Sequence, residues 1–309
     1  MSRLLRLSGR GAAVQYGLLR TACAATRHQQ FRGMQRVTWA VGRAFPRANR
    51  ALMALPEGRI WIHLDDGYWV REILPGRQYE RELRRVIDLL LGAGSGCLLD
   101  CGANIGYWSL VASSYLPAGH VLAVEASPAM YEQLTRNAAA NAGRWSCVAA
   151  AVWSAGGEQL RIHEDRRQHA GNTVVGDLAV PGTSAVPVRT VTVDALAAEL
   201  PDAREGPLVV KLDVEGAEIA AIDGARETLA RSGSYLLYED HGHDRTHRVS
   251  THLLDLGMHV AAPGEDGSFT RIRSVRELDT VKALPYRGYN FVAVADPAAL
   301  DVLAARTPA

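Results

Sequence analysis

Leu98-Leu99-Asp100-Cys101-Gly102-Ala103-Asn104-Ile105-Gly106 passes from an apolar run into two glycines, and the apolar pattern Tyr107-Trp108-Ser109-Leu110-Val111 follows directly. Such a passage reads as a buried strand turning into a helix. Glycine at the turn lets the backbone bend tightly and approach a ligand with no Cβ in the way. Twenty-five residues beyond Asp100, Glu125 closes the next apolar run, Val121 to Val124. A carboxylate in that place accepts hydrogen bonds from both hydroxyls of a ribose. The two features together point to an adenosine-type ligand.

Working outward, strand and helix patterns alternate. The spacing predicts strands over 97–101, 120–125, 146–152, 208–213, 234–239 and 258–262, and helices over about 105–116, 128–141, 215–231 and 246–256. A helix over 79–91 feeds the first core strand, and 290–295 is a closing strand, antiparallel to its neighbour. Residues 153–193 interrupt the alternation with polar, Gly-containing sequence and two short strand-like runs, Gln159 to His163 and Val186 to Val193, and read as an insertion beside the active site. Ahead of the core, Arg59 to Leu64 and Tyr68 to Val70 read as two strands around Asp65-Asp66-Gly67, a β-hairpin.

Composition bounds the rest. With 48% hydrophobic and 22% charged residues in 309, the chain matches soluble globular proteins and excludes disordered and collagen-like classes. Its net charge of +1 hides an asymmetry, because residues 1–56 carry ten arginines and no acid, leaving 24 basic against 33 acidic residues in 57–309. The sequence divides into a basic helical N-terminal extension, 1–56, and a catalytic domain, 57–309, with its core at 97–295. Three readings of the basic segment stand: a transit or secretory signal, a helical extension packed on the domain with Phe31, Met34, Val41 and Phe45 as its stripe, or a contact with anionic lipid or substrate phosphate. Cys23, Cys97, Cys101 and Cys147 lack CxxC spacing, so free thiols, a reducing cytoplasm and no zinc are expected. No apolar window is long enough to span a membrane, which leaves a soluble or membrane-peripheral protein.

A nicotinamide site would show Gly-x-Gly-x-x-Gly with a pyrophosphate at the helix N-terminus, whereas position 104 is Asn. Adenosylmethionine has no pyrophosphate, and Asp100 is placed to face its cationic end. The segments LLDCGANIGYWS, VLAVEASP and VVKLDVEGAE resemble the signatures of the FkbM-type methyltransferase family over roughly residues 57–295. The resemblance implies a class I methyltransferase fold, Rossmann-like with a mostly parallel seven-stranded sheet. It also implies S-adenosyl-L-methionine as donor and O-methylation of sugar, glycan or natural-product hydroxyls. Carried over by position, Gly102, Asn104 and Gly106 border the methionine and ribose portions, Glu125 takes the ribose hydroxyls, and Ala150 with Ala151 lies near the adenine.

Methyl transfer to a hydroxyl needs three atoms in line and a destination for the hydroxyl proton. Positioning supplies about 7–11 kcal/mol and a general base a factor of about 10² to 10⁴. Candidates cluster at two strand ends, where open α/β sheets bind ligands. In Lys211-Leu212-Asp213-Val214-Glu215-Gly216-Ala217-Glu218, Asp213 is the residue expected near the methyl group, while Glu215 and Glu218 equally suit a first helical turn. In Glu239-Asp240-His241-Gly242-His243-Asp244, Glu239 and His241 are candidate acid/base residues. Were a metal used, Asp213, Glu239 and Asp240 supply oxygens suited to Mg²⁺. Two rival classes remain. A nicotinamide oxidoreductase is disfavoured by Asn104, and a noncatalytic adenosyl-binding module by the acids and histidines at both strand ends; nucleic acid is not the expected partner.

Overall fold

The computed structural model describes residues 2–25, 37, 40–42, 44–45, 48–76, 79–164, 184–201, 206–240, 246–282 and 290–305. At its centre lie β4 (Cys97–Cys101), β5 (Val121–Glu125), β6 (Ser146–Ala149), β10 (Leu208–Leu212), β11 (Ser234–Glu239), β12 (His259–Pro263), β13 (Phe269–Ile272) and β14 (Asn290–Val294). They form one eight-stranded sheet in the order β13-β12-β14-β11-β10-β4-β5-β6. The β4, β5, β6, β10 and β11 neighbours pair in parallel, and β14 runs antiparallel to both β11 and β12. This is the class I methyltransferase arrangement, with β13 added as an eighth, antiparallel edge strand beyond the seven expected.

Alternation along each strand builds a core on both faces. Cys97, Leu99 and Cys101 of β4 pack on one side with Val210 and Leu236, while Leu98 packs on the other with Val209 and Leu237. Two-sided burial is why these strands read as unbroken apolar runs. Two charged residues share the Leu98 side. Asp100 and Lys211 are direct register partners on β4 and β10, so the pairing that aligns the apolar residues also brings an acid and an amine together inside the sheet.

The N-terminal region departs from its expected form. β1 (Arg3–Ser8), β2 (Arg50–Leu55) and β3 (Gly58–His63) make a three-stranded antiparallel sheet, and β2 pairs with β3 from Arg50↔His63 to Leu55↔Gly58. The hairpin therefore lies one strand earlier than predicted, and the boundary expected at residue 56 falls inside its turn. Asp65-Asp66-Gly67 does not turn a strand back. Asp66 Oδ1 accepts from the amides of Tyr68 at 3.0 Å and Trp69 at 3.1 Å, capping α2 (Gly67–Ile73). The extension is not purely helical either, although α1 (Ala12–Ala25) packs on this sheet. Of the expected stripe, Phe31 and Met34 lie outside the described residues.

This small sheet is stitched to the core by amide side chains of α5 (Pro128–Ala140) and its cap, Asn141. Asn141 accepts from Arg59 N at 2.9 Å and donates to Arg59 O at 2.6 Å, Asn137 accepts from Trp61 N at 2.7 Å, and Gln133 donates to Trp61 O at 2.7 Å. Spaced four apart, the three residues fall on one helix face and satisfy the open edge of β3 as a strand would.

The 153–193 segment carries β8 (Gln159–Glu164) and β9 (Ser184–Val191), antiparallel to each other, with β9 also pairing β7 (Ala151–Val152). The helix predicted over 215–231 is two helices, α7 (Glu218–Asp223) and α8 (Arg226–Ala230). They part because Asp194 of α6 (Val193–Ala197) accepts from the amides of Glu227 and Thr228 and gives α8 its own start.

Candidate functional site

The strand order reverses direction between β4 and β10, and open α/β sheets bind ligands at such a point, beyond the carboxyl ends of the strands. A cleft opens there, lined by Gly102, Asn104, Glu125, Ser127, Ala150–Val152, Ile162 and Asp213–Glu215, with Val124 and Ala126 between them. Gly102, Asn104, Glu125, Ala150, Ala151, Asp213 and Glu215, all named from the sequence, share it. Ile162 reaches it from β8.

The floor is the turn after β4. Gly102 N and Ala103 N both donate to Val124 O, at 3.0 and 2.9 Å. Gly102 has φ +77, and a Cβ on it would overlap the carbonyl oxygen of Asp213, so the two strand-end loops touch where any side chain would part them. Asn104 is also left-handed, at φ +51, a conformation that Asn tolerates better than most residues. Its amide donates to Glu125 Oε2 at 2.8 Å, and its side-chain oxygen accepts from the indole of Trp69 at 3.0 Å. Glu125 Oε1 accepts from Ser127 N at 2.8 Å. Two backbone amides thus fix the carboxylate while it faces the cleft. Burial outweighs those two donors and pushes the Glu125 carboxyl up to about 7.

Two other glycine-loop residues stand back from the cleft. Gly106, at φ +83, begins α4 (Tyr107–Ala112) against Leu134 and Trp145 and is a packing glycine. Asp100 does not line the cleft. It is fully buried beneath the loop, accepts from Ser109 Oγ at 2.6 Å and lies 4.0 Å from Lys211 Nζ. Burial raises its pKa.

Across the cleft Lys211 Nζ donates to Asp213 Oδ2 at 2.9 Å. Burial disfavours the ammonium, yet Asp213, Asp100 and Glu80 outweigh that and hold it well above the usual lysine range. Two more carboxyls and two tyrosines feel the same centre. Glu80, at φ +39 ahead of α3 (Arg81–Leu91), is pushed up to about 7 by burial and by Asp213, against the pull of Lys211. Glu239 is raised well above its ordinary value by burial and then by Asp213, Glu80 and Glu215. Tyr68 and Tyr79, hydroxyls 2.7 Å apart, sit close enough to Asp213 and Glu80 for their own ionisation to be suppressed, burial being the larger cause. A single lysine among this many carboxyls leaves the region favourable for a cationic ligand.

Several expectations are corrected. Asp240 belongs to a separate buried pair: Lys282 Nζ is 2.9 Å from Oδ1, and Ser250 Oγ donates to Oδ2 at 2.5 Å. It therefore does not join Asp213 and Glu239 as a Mg²⁺ ligand, and among the described residues no group of three or more His, Cys, Asp or Glu side chains is arranged to hold a metal. Glu218 is buried and accepts from Gly216 N at 3.0 Å, shaping its own loop. His241 lies outside the described residues. Ser127 and Trp69, which position Glu125 and Asn104, were not singled out. Ser127-Pro128 does carry a visible helix-start signature.

Residues 100–274 match the sequence family described as the Methyltransferase FkbM domain. The chain belongs to the FkbM family of S-adenosylmethionine-dependent methyltransferases. Similar solved structures include a methyltransferase FkbM from Methylobacillus flagellatus, 18% identical over 74% of this chain and 55% of that one, with a TM-score of 0.37. The matched part thus spans about half the length of that protein. A precorrin-6y C5,15-methyltransferase from Geobacter metallireducens is 17% identical over 70% and 87% of the two chains, at 0.39. An O-methyltransferase from Bacillus cereus, in complex with SAH, is 11% identical over 90% and 98%, at 0.33. No curated protein matches the chain.

Proposed function

We propose that this FkbM-family protein moves the methyl group of S-adenosylmethionine to a hydroxyl oxygen of a sugar, glycan or natural-product acceptor. The observation that carries the reading is Glu125, buried at the cleft and oriented by Asn104 N and Ser127 N beside the bulk-free turn at Gly102. Those residues suit a nucleoside: Glu125 takes the ribose hydroxyls, Gly102 admits the chain of the methionine, and Ala150, Ala151 and Ile162 offer an apolar berth for the adenine. When bound, the donor supplies a methyl on a cationic sulfur, and the surplus of carboxyls around Lys211 favours that charge.

The acceptor approaches from the Asp213 side. Lys211 pins Asp213, which orients the hydroxyl, and Glu239 receives its proton. Burial, with Asp213, Glu80 and Glu215 beside it, raises the Glu239 pKa, so its ionised form is a stronger base than an ordinary carboxylate. His241, two residues beyond the end of β11, is the alternative proton acceptor.

The test is calorimetric titration with S-adenosylmethionine, followed by methyl transfer to a panel of hydroxylated sugars and natural products, with the methylated atom located by NMR. Retention of the donor and a methyl ether product are expected. Glu239→Gln should lower kcat about 10² to 10⁴-fold with donor affinity unchanged. A product methylated on nitrogen would sink the acceptor reading, and absence of donor binding would sink the whole of it.

A further inference from the structure

α1 is anchored on one face and apolar on the other. Inward, Ala12, Tyr16, Leu19 and Cys23 join the core, Gln15 Nε2 donates to Leu64 O at 3.1 Å, and Asn49 Nδ2 donates to Gln15 Oε1 at 2.7 Å. Outward, Val14 and Leu18 are 61% and 50% exposed, one helical turn apart, in a row otherwise made of Ala13, Gly17, Thr21 and Ala24. A helix on a protein surface ordinarily carries charge on its outer face. This one has Arg20 at the border of the row and Arg10 just ahead of its first turn, with exposed Arg3 and Arg6 on the adjoining β1.

We infer that this face of α1, bordered by Arg10 and Arg20, seats the protein on an anionic membrane surface. The charge distribution selects that occupant. Ten arginines and no acid fall in residues 1–56, while 57–309 carry 24 basic and 33 acidic residues. Of those arginines Arg3, Arg6, Arg10 and Arg20 are described and exposed on or beside α1, so a negatively charged plane attracts this part of the molecule. Two large apolar side chains in a row of small ones suit shallow insertion at the headgroup level, and give little of the packed apolar centre that a protein partner requires. Among the described residues no helix is long and apolar enough to cross a membrane, so the contact is a peripheral one. The inference stands apart from the cofactor reading, since no residue in it lines the cleft.

The experiment is co-sedimentation of the full chain with vesicles of phosphatidylcholine alone and of phosphatidylcholine with about a third phosphatidylglycerol, at low and high salt. Partition onto the anionic vesicles, released by salt, is expected. Val14→Ser with Leu18→Ser, and separately Arg10→Glu with Arg20→Glu, should each lower the partition coefficient at least about tenfold. Both double variants should keep the wild-type melting temperature, because the side chains are exposed. Failure to partition, equal partition onto neutral vesicles, or partition unaltered in both variants would overturn the inference. So would a mass of twice the chain that Leu18→Ser reduces to one, which would give the face to a second copy.

Discussion

The chain has only two lysines, and each is buried against an aspartate just past the end of a central strand, yet the two pairs do opposite work. Lys282 and Asp240, at side-chain exposures of 0% and 1%, are sealed together, with Ser250 completing the carboxylate. Lys211 and Asp213, at 8% and 30%, stand at the mouth of a cleft and share one ammonium with Asp100 and Glu80. A closed pair contributes to holding β11, α9 (Arg248–Asp255) and α10 (Val275–Lys282) in place. An open pair surrounded by surplus acid leaves a field for a ligand. Sequence position does not separate the two, whereas countercharge and access to water do.

Substitutions sharpen the contrast. Lys282→Met strands a buried carboxylate and should cost about 3–5 kcal/mol in urea unfolding with donor affinity unchanged. Removing the charge from both sides, as Lys282→Met with Asp240→Leu, should recover most of that loss. Gly102→Val forces a Cβ into the Asp213 carbonyl and should weaken S-adenosylmethionine binding about 100-fold or more by calorimetry, since it moves both walls of the cleft. Lys211→Met should cost roughly half as much stability as Lys282→Met or less, because Asp213 reaches water and Asp100, already raised in pKa, takes up a proton. Should the two lysines prove equal in stability and both neutral toward the donor, the distinction between a sealed pair and a ligand-facing one fails.

The acids of the open region also set a pH dependence. Glu80 and Glu125 rise from 4.5 to about 7 on folding. Below about 4.5 they are protonated in both states; between 4.5 and 7 the unfolded chain gives up protons that the native state keeps, so their contribution destabilises the protein as pH rises through that window. Ligation by a cation that prefers Glu125 ionised opposes this. The gain in Tm on adding S-adenosylmethionine should therefore be larger at pH 7.5 than at pH 5.5, as thermal denaturation would register.

How legible this was in the sequence follows from how local the causes are. The central sheet could be read because two-sided burial writes continuous apolar runs, and the Gly102 turn and Glu125 could be read because each is fixed by its own strand end. The small sheet could not. Asp65-Asp66-Gly67 serves equally as a hairpin turn or a helix cap, and the choice was made by β2, whose pairing with β3 already supplies the hairpin. Asp240 reads as a candidate ligand from the sequence because an acid after a strand looks the same whether its partner is a metal or Lys282, which arrives from a distant helix. Asp100 was misplaced for a related reason: the register that sets it beside Lys211 is a property of the sheet and not of either segment.

The proposed function rests on ionised Glu125 holding the donor's ribose. It is tested most directly by measuring the Kd for S-adenosylmethionine from pH 5.5 to 8.5 in the wild-type protein and in Glu125→Gln. The wild-type affinity should be flat above about pH 7 and fall toward tenfold per unit below it, while the variant should bind about 10- to 100-fold more weakly at pH 8 and lose the pH dependence. Equal affinities for the two proteins at pH 8, or the same pH slope in both, would contradict it.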